Sequence, residues 1–486
     1  MGVAPFFDRV YGAVGGHLAI SRASLEQTLA RTVIGVNLGS LSNLNDRWIA
    51  ELTVNLVARL YSRISISGNA TEVQRLCDVA RSINPQIDLV DASPTSTTVS
   101  IAASREMGSL FPSSTGWVAR LTHGGTLESG APNPYAAGAA AAFACAELFR
   151  RVFLGAPPDK DVAVSLLDFS HDAGASEILA THDIGEVWFA GVGAVGNAAL
   201  WALGRDHTCS GALVAIDHEA VTMLNLQRYV LPVIADVGIS KVDLATRSLS
   251  ETRIKVTSRQ TTVEEYAEVA GTQIDTICVS VDNVQTRRSV QGLLPRTIVN
   301  GWTGERALGT SWHRFLNNQA CLACLYHPTG PGPSATEQAA RALGLSTERA
   351  TVLWLTRQPL SSDDLRVIAT TLEVPREQID GWANKTLGEL YTDVVCGAAP
   401  IGLKGVGRVE VVPLAHQSAL AGILMAAELV KRTDSQFNSR SQPEPLVSWD
   451  DVLRPLPSIW TKPRSKEPGC ICGDEIYSAA YAAKWN

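Results

Sequence analysis

Apolar residues fall into two rhythms along this chain: short continuous runs that fit buried strands, and longer stretches repeating near 3.6 residues that fit helices. In the first third, Arg31 to Val36 and Arg63 to Ser67 predict strands. Leu44 to Tyr61 and the alanine-rich Tyr135 to Phe149 predict helices. Val162 to Phe169 predicts a further strand. Val187 to Ala190 then predicts a buried strand that runs into Gly191, Gly193 and Gly196, with a helix over Ala198 to Leu203. Ala212 to Ile216 and Ile274 to Val281 predict two more strands. Strands alternating with helices in this way predict an α/β fold built on a parallel sheet. Beyond the Pro/Gly-rich stretch at His327, helical spacing returns over Ser334 to Leu343, Ser361 to Leu372 and Pro375 to Leu390, with Ser346 and Ser361 as caps. A final helix is predicted over Pro413 to Val430. The polar, proline-rich residues 434 to 465 predict surface loop.

Composition narrows the class. At 486 residues, 45% hydrophobic and 18% charged, the chain is long enough for about three domains and carries no large disordered share. The formal charge of -7, without any Lys/Arg run, argues against a nucleic-acid partner. Tyr135 to Phe149 is shorter than the roughly 20 residues of a bilayer span, so no membrane partner is expected. The start MGVAPFFDRV has no cationic segment before an apolar core, which predicts a cytoplasmic protein. Nine cysteines are an odd number, and predict thiols used for metal, catalysis or packing.

The candidate chemistry starts at the glycine turn. Backbone N–H groups of a GxGxxG turn can approach phosphates at a helix N-terminus, and Asp217, about twenty residues on, can accept hydrogen bonds from a ribose. That much fits an NAD-dependent enzyme equally well. The next residues change the picture: Glu219, then Asn225-Leu-Gln-Arg228, then Gly238-Ile-Ser-Lys241 put an amide and two cations beside the nucleotide. Cations there suit an enzyme that stabilises charge on ATP phosphates as pyrophosphate leaves. Further on, the strand Ile274 to Val281 delivers Asp282 and Asn283 to its C-terminal end, the edge where ligands bind in open parallel sheets. Cys321-Leu-Ala-Cys324 and Cys470-Ile-Cys472 could close a tetrahedral zinc shell.

With these pieces in order (GVGAVGN, Asp217 with Glu219, NLQR, GISK and VDN), residues 185 to 325 resemble the ThiF/MoeB superfamily of adenylating enzymes. The resemblance implies a Rossmann-like ThiF fold and a nucleotide site lined by Gly191, Gly193, Gly196, Asn197, Asp217, Glu219, Asn225 and Asn283. It further implies catalysis by Arg228, Lys241 and Asp282, with ATP, Mg²⁺ on Asp282, and Zn²⁺ on the four cysteines.

Residues 1 to 155 look like a degenerate copy of the same half. Ser42 stands where a third glycine would follow Gly35 and Gly39, and no acidic pair with NLxR comes after the second strand. Each half also ends in a small-residue helix containing Ala-Glu-Leu. This predicts an inactive half (1 to 155), a connector (156 to 185), an active half with a zinc knot (186 to 330 with 397 to 486), and a helical insertion (331 to 396). Ubiquitin-activating enzymes share this pseudo-dimeric plan, and in them an arginine early in the inactive half reaches the active site. The matching residue is Arg9.

By the same resemblance Cys396, after the insertion, is the thioester-forming nucleophile, and the partners are a ubiquitin-like protein and a conjugating-enzyme-like protein. The chain is most similar in plan to bacterial ubiquitin-like conjugation enzymes, with a homodimer possible and no separate recruitment domain in view. A sulfur-carrier adenylyltransferase of the ThiF/MoeB type is the alternative. Cys77, Cys145, Cys209 and Cys278 are expected to be buried structural thiols.

Overall fold

The computed structural model describes residues 4–18, 20–91, 95–103, 109–125, 127–155, 160–171, 180–304, 307–316, 319–327, 335–372, 376, 379–390, 412–433, 446–450, 459–461 and 464–485. The chain divides into two compact units. One holds Met1–Phe6, Arg22–His327 and Pro413–Asn486, the other Phe7–Ser21 and Pro328–Val412.

The larger unit is α/β. It opens with a four-stranded sheet of order β3-β2-β1-β4, formed by β1 (Ile34–Leu38), β2 (Arg63–Ser67), β3 (Asp88–Leu89) and β4 (Thr97–Ile101). All its pairings are parallel. β5 (Phe111–Thr115), β6 (Val118–Thr122) and β7 (Val162–Ser165) make an antiparallel sheet beside it. The helix α1 (Phe7–His17) belongs to the second unit; α2 (Arg22–Arg31), α3 (Leu44–Ala58), α4 (Ala70–Ile83) and α5 (Pro134–Leu154) belong here.

The second sheet has eight strands in the order β10-β9-β8-β11-β12-β13-β14-β15. Its centre is β8 (His182–Ala190), flanked in parallel by β9 (Cys209–Ile216) and β11 (Thr276–Val279); β10 (Arg253–Arg259) and β12 (Thr297–Thr303) extend the parallel part. Val187, Phe189, Ala190, Leu213, Ala215, Ile277 and Val279 are wholly buried, as expected of strands covered by helices on both faces. The crossovers are α6 (Ala194–Leu203), α7 (Lys241–Ser248), α8 (Val263–Ala270) and α9 (Val284–Gly292). Because β9 and β10 lie on one side of β8 and β11 on the other, the strand order reverses between β8 and β11. In open parallel sheets the ligand crevice opens at such a reversal, outside the carboxyl ends of the strands.

The antiparallel end of this sheet corrects one expectation. β13 (Ala307–His313) pairs with β14 (Leu446–Asp450), and β14 with β15 (Ile459–Thr461), inside the stretch whose proline content predicted loop. The open edge of β13 supplies unpaired N–H and C=O groups, and a five-residue segment is enough to satisfy them. After the short α10 (Leu322–Leu325), the unit closes with α14 (Ala415–Thr433) and α15 (Glu475–Trp485). α14 packs on α6 and on α5, so the two alanine-rich helices singled out by pattern do meet. Cys145, Cys209 and Cys278 are buried as expected, whereas Cys77 on α4 is partly exposed.

The smaller unit is helical: α1 with α11 (Ala335–Leu343), α12 (Thr347–Thr356) and α13 (Ser362–Leu372). Leu343, Leu353, Leu365, Ile368 and Leu372 share one core with Ile379, Leu387 and Leu390. Ser346 caps α12 through the Arg349 N–H, and the Ser361 hydroxyl accepts from Asp364 N–H, as the sequence predicts. Arg349 donates two hydrogen bonds to Asp364, at 2.8 and 2.7 Å, tying α12 to α13. Over Pro375 to Leu390 the described residues hold a 3-10 turn at Asp380–Trp382 and a helical turn at 387–390 in place of one continuous helix.

Candidate nucleotide site

Three loops leave the carboxyl ends of neighbouring strands β9, β8 and β11 and converge on the reversal point. The β8 loop is the glycine turn. Gly191 has φ +90°, a conformation open to glycine and costly for other residues. Gly196 is required for a different reason: a Cβ there would lie 2.3 Å from the Gly191 carbonyl oxygen and 2.9 Å from Ser280 Oγ. Gly193 is the N-cap of α6, and no side chain caps its N–H groups, which leaves the helix N-terminus for an anion.

The turn is fastened from both sides. Val192 N–H donates to Asp217 Oδ2 at 2.7 Å, and Glu219 N–H donates to Asp217 Oδ1 at 2.9 Å. Asp217 therefore locks the second strand's end to the turn. Asn197, wholly buried, donates through Nδ2 to the Val192 and Gly193 carbonyls at 2.7 and 3.2 Å. Ser280 Oγ donates to the Gly191 carbonyl at 2.6 Å, joining the β11 loop to the same structure.

Lys241 begins α7, and the Ala220↔Ser240 bridge brings it beside Glu219. Its ammonium is buried, pairs with Glu219, and lies 5.3 Å from the centre of the Tyr229 ring. Burial works against the charge, but Tyr229, Asp217 and Glu219 outweigh it and hold the ammonium above its ordinary pKa. Glu219 is lowered despite partial burial, because it accepts from Lys241. Asn225 is half-exposed and accepts from the Thr222 N–H at 2.8 Å, capping the 3-10 turn Met223–Gln227 that precedes Arg228. Asn283 caps α9 by accepting from Gln285 and Thr286. Among the described residues no hydrogen bond or ion pair engages the Arg228 or Asp282 side chain, and Asp282 is exposed.

Pattern alone did not single out Arg287. Buried on α9, it donates to Asn300 Oδ1 and to the carbonyls of Val281 and Gly301, so it fixes the backbone next to Asp282. Burial lowers its pKa, and Asp282 opposes that fall. The available signal was its place one helical turn after the Asn283 cap.

Four sulfurs form a separate cluster. Cys321 Sγ lies 3.8 Å from Cys324 and 3.6 Å from Cys470, and Cys324 lies 3.4 Å from Cys472. All are buried and lie within 4.8 Å of one another. A tetrahedron with metal–sulfur bonds near 2.3 Å has edges of about 3.8 Å, so the donor set fits zinc. The CxC spacing does not prevent it.

The matching edge of the first sheet is filled by the chain itself. Asn43 Nδ2 donates to the Ser129 and Gly130 carbonyls at 3.0 and 2.9 Å, and Asn45 Nδ2 to those of Ser114 and Ala131, both at 3.1 Å. Asn45 Oδ1 accepts from Asn133 N–H at 2.9 Å, and Ser129 Oγ donates to Asp46 at 2.6 Å. Donors that could meet a phosphate after β1 are spent on the loop at 129 to 133. Arg9 lies on α1, in the helical unit. Cys396 lies outside the described residues.

A parallel sheet with a glycine turn, a locked acidic residue and a buried lysine at its reversal point is an α/β arrangement suited to a nucleotide. The chain belongs to the ThiF family, whose model matches residues 172–456. A second model, prokaryotic E2 family C, matches residues 41–154. The uncharacterized protein y4jF of Sinorhizobium fredii is 36% identical over 513 residues, spanning 100% of this chain and 98% of that one. Crystal structures of E. coli MccB with MccA-N7isoASN and with ATP align at 15% identity and a TM-score of 0.36. They cover 59% and 60% of this chain and 66% and 67% of MccB. No helix among the described residues is long and apolar enough to cross a membrane.

Proposed function

We propose that the chain uses MgATP to activate the C-terminal carboxylate of a ubiquitin-like protein. The observation that carries this is the buried, protonated Lys241 held by Glu219 and Tyr229 beside a glycine turn fastened by Asp217, on the sheet edge that also carries Arg228 and Asp282. A carboxylate oxygen attacks the α-phosphorus of ATP. The bond to the β-phosphate bridging oxygen breaks, giving an acyl-adenylate and pyrophosphate. Lys241 and Arg228 carry fixed positive charge for the phosphates as negative charge moves to the leaving group. Asp217 orients the ribose. Asp282 would hold Mg²⁺, which neutralises charge on the phosphates when bound.

In the second step the Cys396 thiolate attacks the acyl carbon and AMP leaves, so that a thioester is passed to a conjugating-enzyme-like protein. The spent donors around Asn43 and Asn45 support a first half without a nucleotide of its own. In the span matched to the prokaryotic E2 family, the cysteines are Cys77 and Cys145, and burial raises the pKa of both. Neither is a ready thiolate, which supports a nucleophile elsewhere in the chain. The four-sulfur cluster would hold zinc as a structural tie between α10 and the chain's last helix.

Pyrophosphate exchange with purified carrier proteins tests the first step. Asp282→Ala should cut it by about 10² to 10³ with the fold intact. Cys396→Ser should leave exchange unchanged and abolish the reducible adduct with the carrier. Exchange at the wild-type rate in Asp282→Ala would overturn the reading, and a reducible adduct persisting in Cys396→Ser would remove Cys396 as the nucleophile.

A further inference from the structure

The loop that carries Arg228 is held by a residue from the other half of the unit. Arg59, at the end of α3 within the span matched to the prokaryotic E2 family, is 1% exposed. Its Nη1 donates to the Leu226 carbonyl and its Nη2 to the Pro232 carbonyl at 3.2 Å, while Nε donates to Asn55 Oδ1 at 2.9 Å. Asn55, one turn earlier on α3, donates through Nδ2 to the Val230 carbonyl at 3.0 Å. Three backbone carbonyls, at 226, 230 and 232, are thus gripped by two side chains, and Arg228 and Tyr229 lie between them. The segment is a 3-10 turn followed by irregular chain: the Arg228 and Tyr229 N–H groups donate to the Asn225 carbonyl at 3.1 and 3.0 Å, and the path beyond Tyr229 rests on the side-chain grips.

Every acceptor that Arg59 reaches is neutral. Among the described residues no carboxylate pairs with it. Burying a guanidinium without a counter-charge is costly, and the cost shows as a pKa lowered to about 9 by burial. An apolar side chain would fill the site at less cost if filling were all that was required. What a guanidinium adds is a rigid fork of donors able to hold two carbonyls of an irregular loop at once.

We propose that Arg59, aided by Asn55, is a positioning residue for adenylation: it sets the Leu226–Pro232 loop so that Arg228 meets the phosphates and Tyr229 stays beside Lys241. The inference rests on the adenylation reading above. It also gives the first half a function in catalysis, because the second half's cationic loop depends on it.

The test compares Arg59→Met, Arg59→Lys and Arg228→Ala in the full-length chain by amide hydrogen exchange, ATP binding and pyrophosphate exchange. Arg59→Met should raise amide exchange locally across residues 222 to 233 and lower kcat roughly a hundredfold, with ATP affinity changed less than threefold. Arg59→Lys, which retains a single donor head, should recover part of that loss. In the double variant with Arg228→Ala, Arg59→Met should cost far less than it does alone, because most of its effect passes through Arg228.

Wild-type amide exchange over 222 to 233, or additive losses in the double variant, would overturn the proposal. If Arg59→Met does not fold, Asn55→Ala, which removes the hold on Val230 and the acceptor of Arg59 Nε but leaves both Nη grips, must show the same local loosening with a smaller fall in kcat; its absence counts against the proposal equally. A wild-type chain without exchange for any carrier, yet with a loop loosened by Arg59→Met, would refute adenylation while leaving the Arg59 grip established.

Discussion

Gly196 and Gly193 lie three residues apart in one turn, and substituting each with alanine should separate building the site from using it. At Gly196 the new methyl would sit 2.3 Å from the Gly191 oxygen, 2.9 Å from Ser280 Oγ and 3.2 Å from Phe189 Cε1. The nearest obstacle is backbone, which cannot rotate away. Overpacking of this kind costs about 1 to 3 kcal/mol. Moving the Gly191 carbonyl also strains the bond it accepts from Ser280, worth roughly 1 kcal/mol more. At Gly193, where φ is -73°, the nearest atoms to a new methyl are Tyr229 Oη at 3.6 Å and Ser280 O at 3.9 Å, so alanine fits the empty turn. Gly196→Ala should therefore lower the melting temperature by several degrees and, by displacing the Gly191 turn, weaken ATP binding as well. Gly193→Ala should keep the wild-type melting temperature and lose ATP affinity only, because on the nucleotide reading its methyl would crowd phosphate oxygens at the uncapped N-terminus of α6. Differential scanning fluorimetry and calorimetric titration with ATP measure the two effects. A stable Gly196→Ala that binds ATP normally, or a Gly193→Ala that is as unstable as Gly196→Ala, would refute this account of the turn.

Two further outcomes follow from buried charge and sulfur. Glu147, wholly buried on α5, is pushed upward by burial but carried down to about 2 by His123, Arg150 and Arg151. Its folded value lies below its ordinary value of 4.5, so its stabilisation is complete above pH 4.5 and is lost as pH falls toward 2. Glu147→Gln should destabilise the protein at pH 7 and flatten the acid limb of the melting-temperature profile between pH 4.5 and 2; an unchanged acid limb would count against it. Protein prepared without chelator should contain about one zinc per chain, given four thiolates per structural site. Cys472→Ser should lower that content and destabilise the chain, and metal-free protein of full stability would contradict the assignment.

The local parts of the site were legible because their chemistry is local. Gly191, Gly193 and Gly196 answer to backbone geometry within six residues, and Asp217 follows its strand at the distance one crossover requires. Lys241 stands out as a cation placed just after a turn. Helix caps such as Ser346 and Ser361 are read from the same short range, as are the strand at Arg63–Ser67 and the helix over Ser362–Leu372. Tertiary structure decided what joins distant residues. Leu446–Asp450 and Ile459–Thr461 become strands only because β13 presents an open edge, a partner that proline-rich local sequence does not announce. Asn43 and Asn45 look like ordinary helix-start residues until the 129 to 133 loop folds across them and consumes their donors. The buried Arg287 ties the Val281 carbonyl to Asn300 and Gly301 on another strand. Arg59, in a helix that local pattern describes well, takes its meaning from two carbonyls more than 160 residues away. Local pattern encodes torsion preferences and periodic burial, which repeat every few residues; the pairing of donors with acceptors across the unit is settled when the helices and sheets pack and exclude water from those groups.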